Sequence, residues 1–156
     1  IILKIIPQNT ENLLWNKLYN VYKFTPKIHG QFEWIKIPIE NKTYHKDTPW
    51  SDEQEHLINS FLEELVSDKM YAFDWQHDCF TFSPKEYIPC DYEYYDTNRK
   101  CTVYFPTYYP NGDYHLFFDS DWKYGILGNP WKKEIIVMGK NLIEKFESNK
   151  TNLNIN

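Results

Sequence analysis

Apolar positions along the chain follow two rhythms, helical in the first third and strand-like from Met70 onward. Leu14, Leu18, Val21 and Tyr22 recur at helical spacing with Trp15 beside them, which predicts an amphipathic helix. Asn9 or Thr10 is expected to cap its first turn, because either side chain can accept from exposed backbone N–H groups. Pro26 lies beyond its end. Leu57, Ile58, Phe61, Leu62 and Leu65 form a second stripe, opened by Ser51-Asp52-Glu53-Gln54. That opening matches a capping box, in which the serine hydroxyl and the glutamine side chain satisfy each other's backbone N–H. A third, shorter stripe, Leu142, Ile143 and Phe146, predicts a helix near the end. The polar run from Ser148 to Asn156 is expected to fray.

The strand rhythm predicts short elements at the initial IILKIIP run, at MYAFDW, CFTF, CTVYFPTYY, DYHLFF, WKYGIL and KEIIVM. FEWIKIPIE, from Phe32 to Glu40, reads as extended at a sheet edge, where Lys36 and Pro38 discourage further pairing. Pro110-Asn111-Gly112 between apolar runs is a strong hairpin signal, since Asn and Gly tolerate positive φ. Further reversals are expected at Gln76-His77-Asp78, Asp119-Ser120-Asp121 and Gly128-Asn129-Pro130. Together these elements predict an α+β chain: a mainly antiparallel meander of about five or six strands with helices packed on one face. Residues 1–148 are expected to form one domain, with 149–156 a polar tail.

Composition changes this picture in three ways. Aromatic residues make up 19% of the chain, 13 of them Tyr, which suits a sheet-rich core and also partner-binding surfaces. A net charge of -5 and a single arginine, Arg99, argue against duplex DNA as partner, which calls for a basic footprint. Three cysteines, Cys79, Cys90 and Cys101, stand without CxxC spacing, so neither a zinc ribbon nor a disulfide framework is expected. An odd count fits a reducing cytoplasm. The initial apolar run is too short to span a membrane and has neither a basic leader nor a small-residue cleavage site.

The segments Trp75-Gln76-His77, Pro110-Asn111-Gly112-Asp113-Tyr114, Tyr124-Gly125 and Gly128-Asn129-Pro130-Trp131 carry a resemblance. The chain resembles a family of small, single-domain bacterial proteins, found in Bacillus and relatives, catalogued as a domain of unknown function. The likeness extends from the Trp15 helix to the LIEKFE helix. It implies a bacterial cytosolic protein and no particular activity. The family pattern has a His where this chain has Asn129, and Asn cannot titrate.

The densest polar cluster is Asp74-Trp75-Gln76-His77-Asp78-Cys79. Alternation would set Asp74 and Gln76 on one face and Trp75 and His77 on the other until the turn intervenes. His77, Asp78 and Cys79 lie too close along the chain to wrap one ion, so no metal or other cofactor is expected. His115 could complete a site only if the sheet brought it near. A Cys79 nucleophile would need His77 or His115 in contact, with Asp74 or Asp113 orienting it; otherwise Cys79 is a small apolar filler. There is no GxSxG, HExxH or phosphate-cradling glycine loop. The alternation of acids and tyrosines from Asp91 through Glu93 to Asp96 suits a basic protein surface. The leading expectation is therefore a non-catalytic, immunity-type or regulatory binding protein. Its rival is a small enzyme or small-ligand-binding domain with a pocket around Asp74, His77, Tyr114, His115 and Trp131, with Trp75 alongside.

Overall fold

Seven strands among the described residues, 3–26 and 33–156 of a computed structural model, form one sheet in which every pair is antiparallel. In chain order the elements are β1 (Lys4–Ile5), α1 (Gln8–Asn20), β2 (Asn41–His45), α2 (Asp52–Leu65), β3 (Met70–Asp74), β4 (Cys79–Phe82), β5 (Glu93–Asp96), β6 (Cys101–Tyr104), β7 (His115–Asp119), β8 (Gly125–Asn129), β9 (Glu134–Met138), α3 (Lys140–Ser148) and α4 (Lys150–Leu153). The order across the sheet is β1-β4-β3-β7-β8-β9-β2, and β5 and β6 form a separate two-stranded ribbon. The architecture is α+β and mainly antiparallel, with more strands than the five or six expected.

Helices cover both faces of the sheet rather than one. Met70, Ala72, Phe80, Phe117, Ile126, Ile135 and Val137 face α2 and α3 through Ile58, Phe61, Leu62, Leu142 and Phe146. Phe73, Cys79, Leu116, Phe118, Leu127 and Met138 face the other way, onto Leu18 of α1 and onto Tyr22, Phe24, Trp34 and Ile35. The reason is written in the central strands: every residue of β7 and β8 is buried. Strands apolar without alternation are covered on both sides.

The ends of several elements differ from expectation. Helix α1 starts at Gln8 with Pro7 at the cap and no side-chain cap bond; proline is accommodated there because the cap residue's own N–H lies outside the helical ladder while its carbonyl accepts from Glu11 N. Helix α2 carries the full capping box, the Ser51 hydroxyl accepting from Gln54 N and the Gln54 side chain accepting from Ser51 N. Phe32 lies outside the described residues, and 33–39 form no strand. The edge strand is instead β2, whose sequence NKTYH buries only Tyr44. Its polar side chains hid it, although backbone pairing to β9 is complete from Asn41 to His45. The segment expected to fray is packed: α4 buries Leu153, Ile155 is buried beyond it, and Asn156 and His45 exchange backbone bonds.

The Asn111-Gly112 turn does not close a hairpin. Gly112 adopts the positive φ of 93° that the motif predicts, yet β6 pairs with β5 while β7 pairs with β3 and β8. What overrides the turn signal is Glu55 of α2. Its carboxylate accepts from Tyr108 N at 2.8 Å and Tyr109 N at 3.2 Å, and the Tyr108 hydroxyl donates to Asn59 Oδ1. The chain between β6 and β7 is thus fastened across α2 instead of doubling back along β6. The reversal at Asp119 does join β7 to β8, with Asp119 Oδ1 accepting from Lys123 N and Tyr124 N. Asn129 Oδ1 closes the β8–β9 turn by accepting from Trp131 N and Lys132 N.

Candidate functional site

Sheet register places Asp74, the last residue of β3, opposite His115, the first of β7. Alternation then sends both side chains to the α2 face, while their neighbours Trp75 and Tyr114 go to the α1 face. There Tyr114 is fully buried, 5.6 Å from the Trp75 ring and 5.1 Å from that of Trp131. The expected pocket therefore divides: Asp74, His77 and His115 come together, and Trp75, Tyr114 and Trp131 form an aromatic stack across the sheet.

The polar half opens into a cleft of about 500 Å³ lined by Asp74, His77, Asp78, Tyr104, Asn111 and Asp113, among others. Three chain segments build it: the β3–β4 turn, the ribbon strand β6, and the loop carrying Gly112. Asp113 is the participant that the sequence reading named only as an orienting acid; the register of the loop before β7 sets it beside His77. His77 Nδ1 lies 3.3 Å from Asp74 Oδ1 and 3.7 Å from Asp113 Oδ2. Its proton has a nearer acceptor, the Trp75 carbonyl at 3.1 Å. Arg99 pairs with both Asp96 and Asp78, fixing the ribbon to the rim and holding the Asp96 carboxyl below its usual range.

His115 is the buried partner. Its Nδ1 lies 2.8 Å from the Thr107 carbonyl, and since a carbonyl only accepts, Nδ1 carries the proton. Burial pushes the ring's pKa down to about 4, against the pull of that carbonyl. At neutral pH the ring is therefore uncharged and Nε2 bears a lone pair. That nitrogen faces Asp74 Oδ1 at 3.6 Å. The oxygen is itself buried and without a hydrogen-bond partner. Burial raises the Asp74 pKa against the pull of His77, and the Asp113 charge adds to the rise. Two acceptors thus confront each other across a gap, an arrangement that attracts a cation or a proton.

The remaining expected residues lie elsewhere. Asp91 is exposed ahead of β5, and Glu93 is exposed on it, paired with Tyr104 of β6. Cys79 is buried among apolar side chains on the α1 face, and burial pushes its thiol far up. That shift disfavours the thiolate that nucleophilic chemistry uses. Asn129 is occupied in closing its turn.

A family model described as "Protein of unknown function (DUF2716)" matches residues 6–143. A Bacillus subtilis (strain 168) protein described as "Uncharacterized protein YxiI" is 31% identical over 158 residues, covering 93% of this chain and 92% of that protein. No solved structure matches.

Proposed function

The chain belongs to the DUF2716 family of proteins of unknown function, and on that premise we propose that it is a small-ligand-binding protein whose cleft takes a positively charged ligand. The observation that carries the reading is the buried Asp74 Oδ1, which has no well-formed hydrogen bond although His77 Nδ1 lies 3.3 Å away, and which faces His115 Nε2 at 3.6 Å. Leaving a buried acceptor unsatisfied costs about 1–3 kcal/mol, and a cationic ligand would recover that cost on binding. Asp113 adds a negative charge beside the cleft, where Asp78 is already paired with Arg99, and the net charge of -5 has the same sign.

Thermal melts with chlorides of small amines, guanidinium compounds and divalent metals test this. A ligand at one hundred times its Kd adds about 2.7 kcal/mol, which raises the Tm of a chain this size by roughly 5–10 °C. The rise should shrink in Asp113→Asn. If no cation raises the Tm, or if every cation acts equally on the variant, the reading fails.

A second reading rests on the ribbon. Tyr95 and Tyr104 are the most exposed aromatic rings among the described residues, and Asp91 and Glu93 accompany them. Exposed tyrosines interleaved with carboxylates suit a protein partner with a basic surface, in keeping with an immunity-type or regulatory role without catalysis. Three free cysteines support a cytoplasmic location. No helix among the described residues is long and apolar enough to cross a membrane, and the acidic cleft disfavours duplex DNA. Recovery of a partner from lysate that is lost in Tyr104→Ala supports this reading; no recovery at low salt counts against it.

A further inference from the structure

Resting on the cleft reading above, we infer that Asp74, His77 and Asp113 form a binding site for a first-row divalent metal ion such as Zn²⁺ or Mn²⁺. One ligand atom from each residue lies within 4.8 Å of the others. Ligands about 2.0–2.2 Å from a tetrahedral ion stand roughly 3.3–3.6 Å apart. His77 Nδ1 is 3.3 Å from Asp74 Oδ1 and 3.7 Å from Asp113 Oδ2, and the two carboxylate oxygens lie within 4.8 Å of each other, so binding draws the carboxylates in by about an ångström or less. The three residues come from the end of β3, the following turn and the loop before β7, which is why no local motif announced them.

Two observations beyond the spacing point to an ion. Asp74 Oδ1 has no hydrogen-bond partner although it is buried. His115, its side chain only 5% exposed, presents Nε2 to that same oxygen at 3.6 Å. Its Nδ1–H is held by the Thr107 carbonyl, the backbone anchor that metal-binding imidazoles commonly use to direct the other nitrogen. An ion between Asp74 Oδ1, His77 Nδ1 and Asp113 gives that oxygen the well-formed contact it lacks, with His115 Nε2 behind Asp74 rather than among the three ligands. His77 is 61% exposed and can take its part by a tautomer change. The proton leaves Nδ1, giving up the Trp75 carbonyl, and is carried on solvent-facing Nε2, while Nδ1 turns its lone pair to the ion.

The ligand chemistry narrows the metal. One imidazole with two carboxylates suits Zn²⁺, Mn²⁺ or Fe²⁺, whereas Ca²⁺ and Mg²⁺ favour all-oxygen shells. Three protein ligands leave at least one position open to solvent on the cleft side, the arrangement of metal sites that also take an exogenous ligand.

The test is calorimetric titration of the chelator-treated full chain with ZnCl₂ and MnCl₂, beside CaCl₂ and MgCl₂, for the wild type, His77→Ala and Asp113→Asn. Both substitutions lie at the rim, so folding should survive; circular dichroism confirms it. Binding of one equivalent, at least tenfold weaker in each variant and at least tenfold weaker for Ca²⁺, is expected. Binding of Zn²⁺ or Mn²⁺ that is absent, or unchanged in His77→Ala, overturns the metal site; unchanged Zn²⁺ binding would place the ion on surface thiols such as Cys101. In parallel, the imidazole resonances of His77 and His115 are followed by NMR while a small amine chloride is added. Shifts with the amine and none with metal leave the cationic-ligand reading standing and sink the metal. Silence from both sinks the two together.

Discussion

At the scale of single residues, buried carboxylates dominate the chemistry of this fold. Glu55 is 3% exposed, and desolvation raises its pKa to about 7, against the opposing pull of the Tyr108 and Tyr109 N–H groups. A raised acid pKa means the folded state holds its proton at pH values where the unfolded chain has released it. Stability from this group is therefore full below about 4.5, falls as pH rises towards about 7, and stays at the lower level above. With one pKa unit worth 1.36 kcal/mol, the fall is on the order of 3 kcal/mol. Because the depressed His115 adds an opposing rise over the same window, urea denaturation across pH 4–8 should show Glu55 as a difference: the stability of the wild type relative to Glu55→Gln falls as pH rises. Equal slopes in both proteins would mean Glu55 does not titrate in this window.

At the scale of elements, the signals that were legible are ones where a helix or turn closes on its own residues, although the α1 cap and the short helix α4 escaped them. The Ser51–Gln54 capping box is one such case. Ser51→Ala should cost about 1 kcal/mol, seen as a Tm lowered by about 2–4 °C; an unchanged Tm would show the cap to be dispensable. The α2 stripe and the Asp119 reversal are likewise readable because their hydrogen bonds are local. Elements whose identity depends on distant partners were not. Strand β2 is a strand because β9 offers it a ladder, and its own sequence is polar. At Asn111-Gly112 only Gly112 takes the positive φ of the motif and no hairpin forms, since Glu55, more than fifty residues earlier, claims the N–H groups leading into it. The site shows the same division. The acids and histidines were visible as a dense cluster, and alternation alone separates His115 from Tyr114, but the pairing of His115 with Asp74 follows from the β3–β7 register, a property of the assembled sheet.

At the scale of the whole molecule, burial draws residues 150–156 into the core on the α2 face. The last residues cap the α2 face: Leu153 is fully buried, its carbonyl accepts from Trp50 Nε1 at 2.8 Å, and Gln54 Nε2 reaches Asn152 O. Truncating a buried leucine costs about 2–5 kcal/mol. Leu153→Ala should therefore lower global stability by that amount, measured as a shift in urea midpoint with unchanged m. A loss below about 0.5 kcal/mol would mean that the last turn contributes little to the core.

The stretch fastened by Glu55 has one more consequence. Thr107, whose carbonyl fixes the proton on His115, immediately precedes the two amides that Glu55 grips. Helix α2 and the cleft are thus mechanically in series, with two consecutive peptide units as the coupling rod, the first of which offers its carbonyl to His115 and its N–H to Glu55. A disturbance at the helix, remote from any ligand, should be heard as a changed imidazole nitrogen resonance at His115.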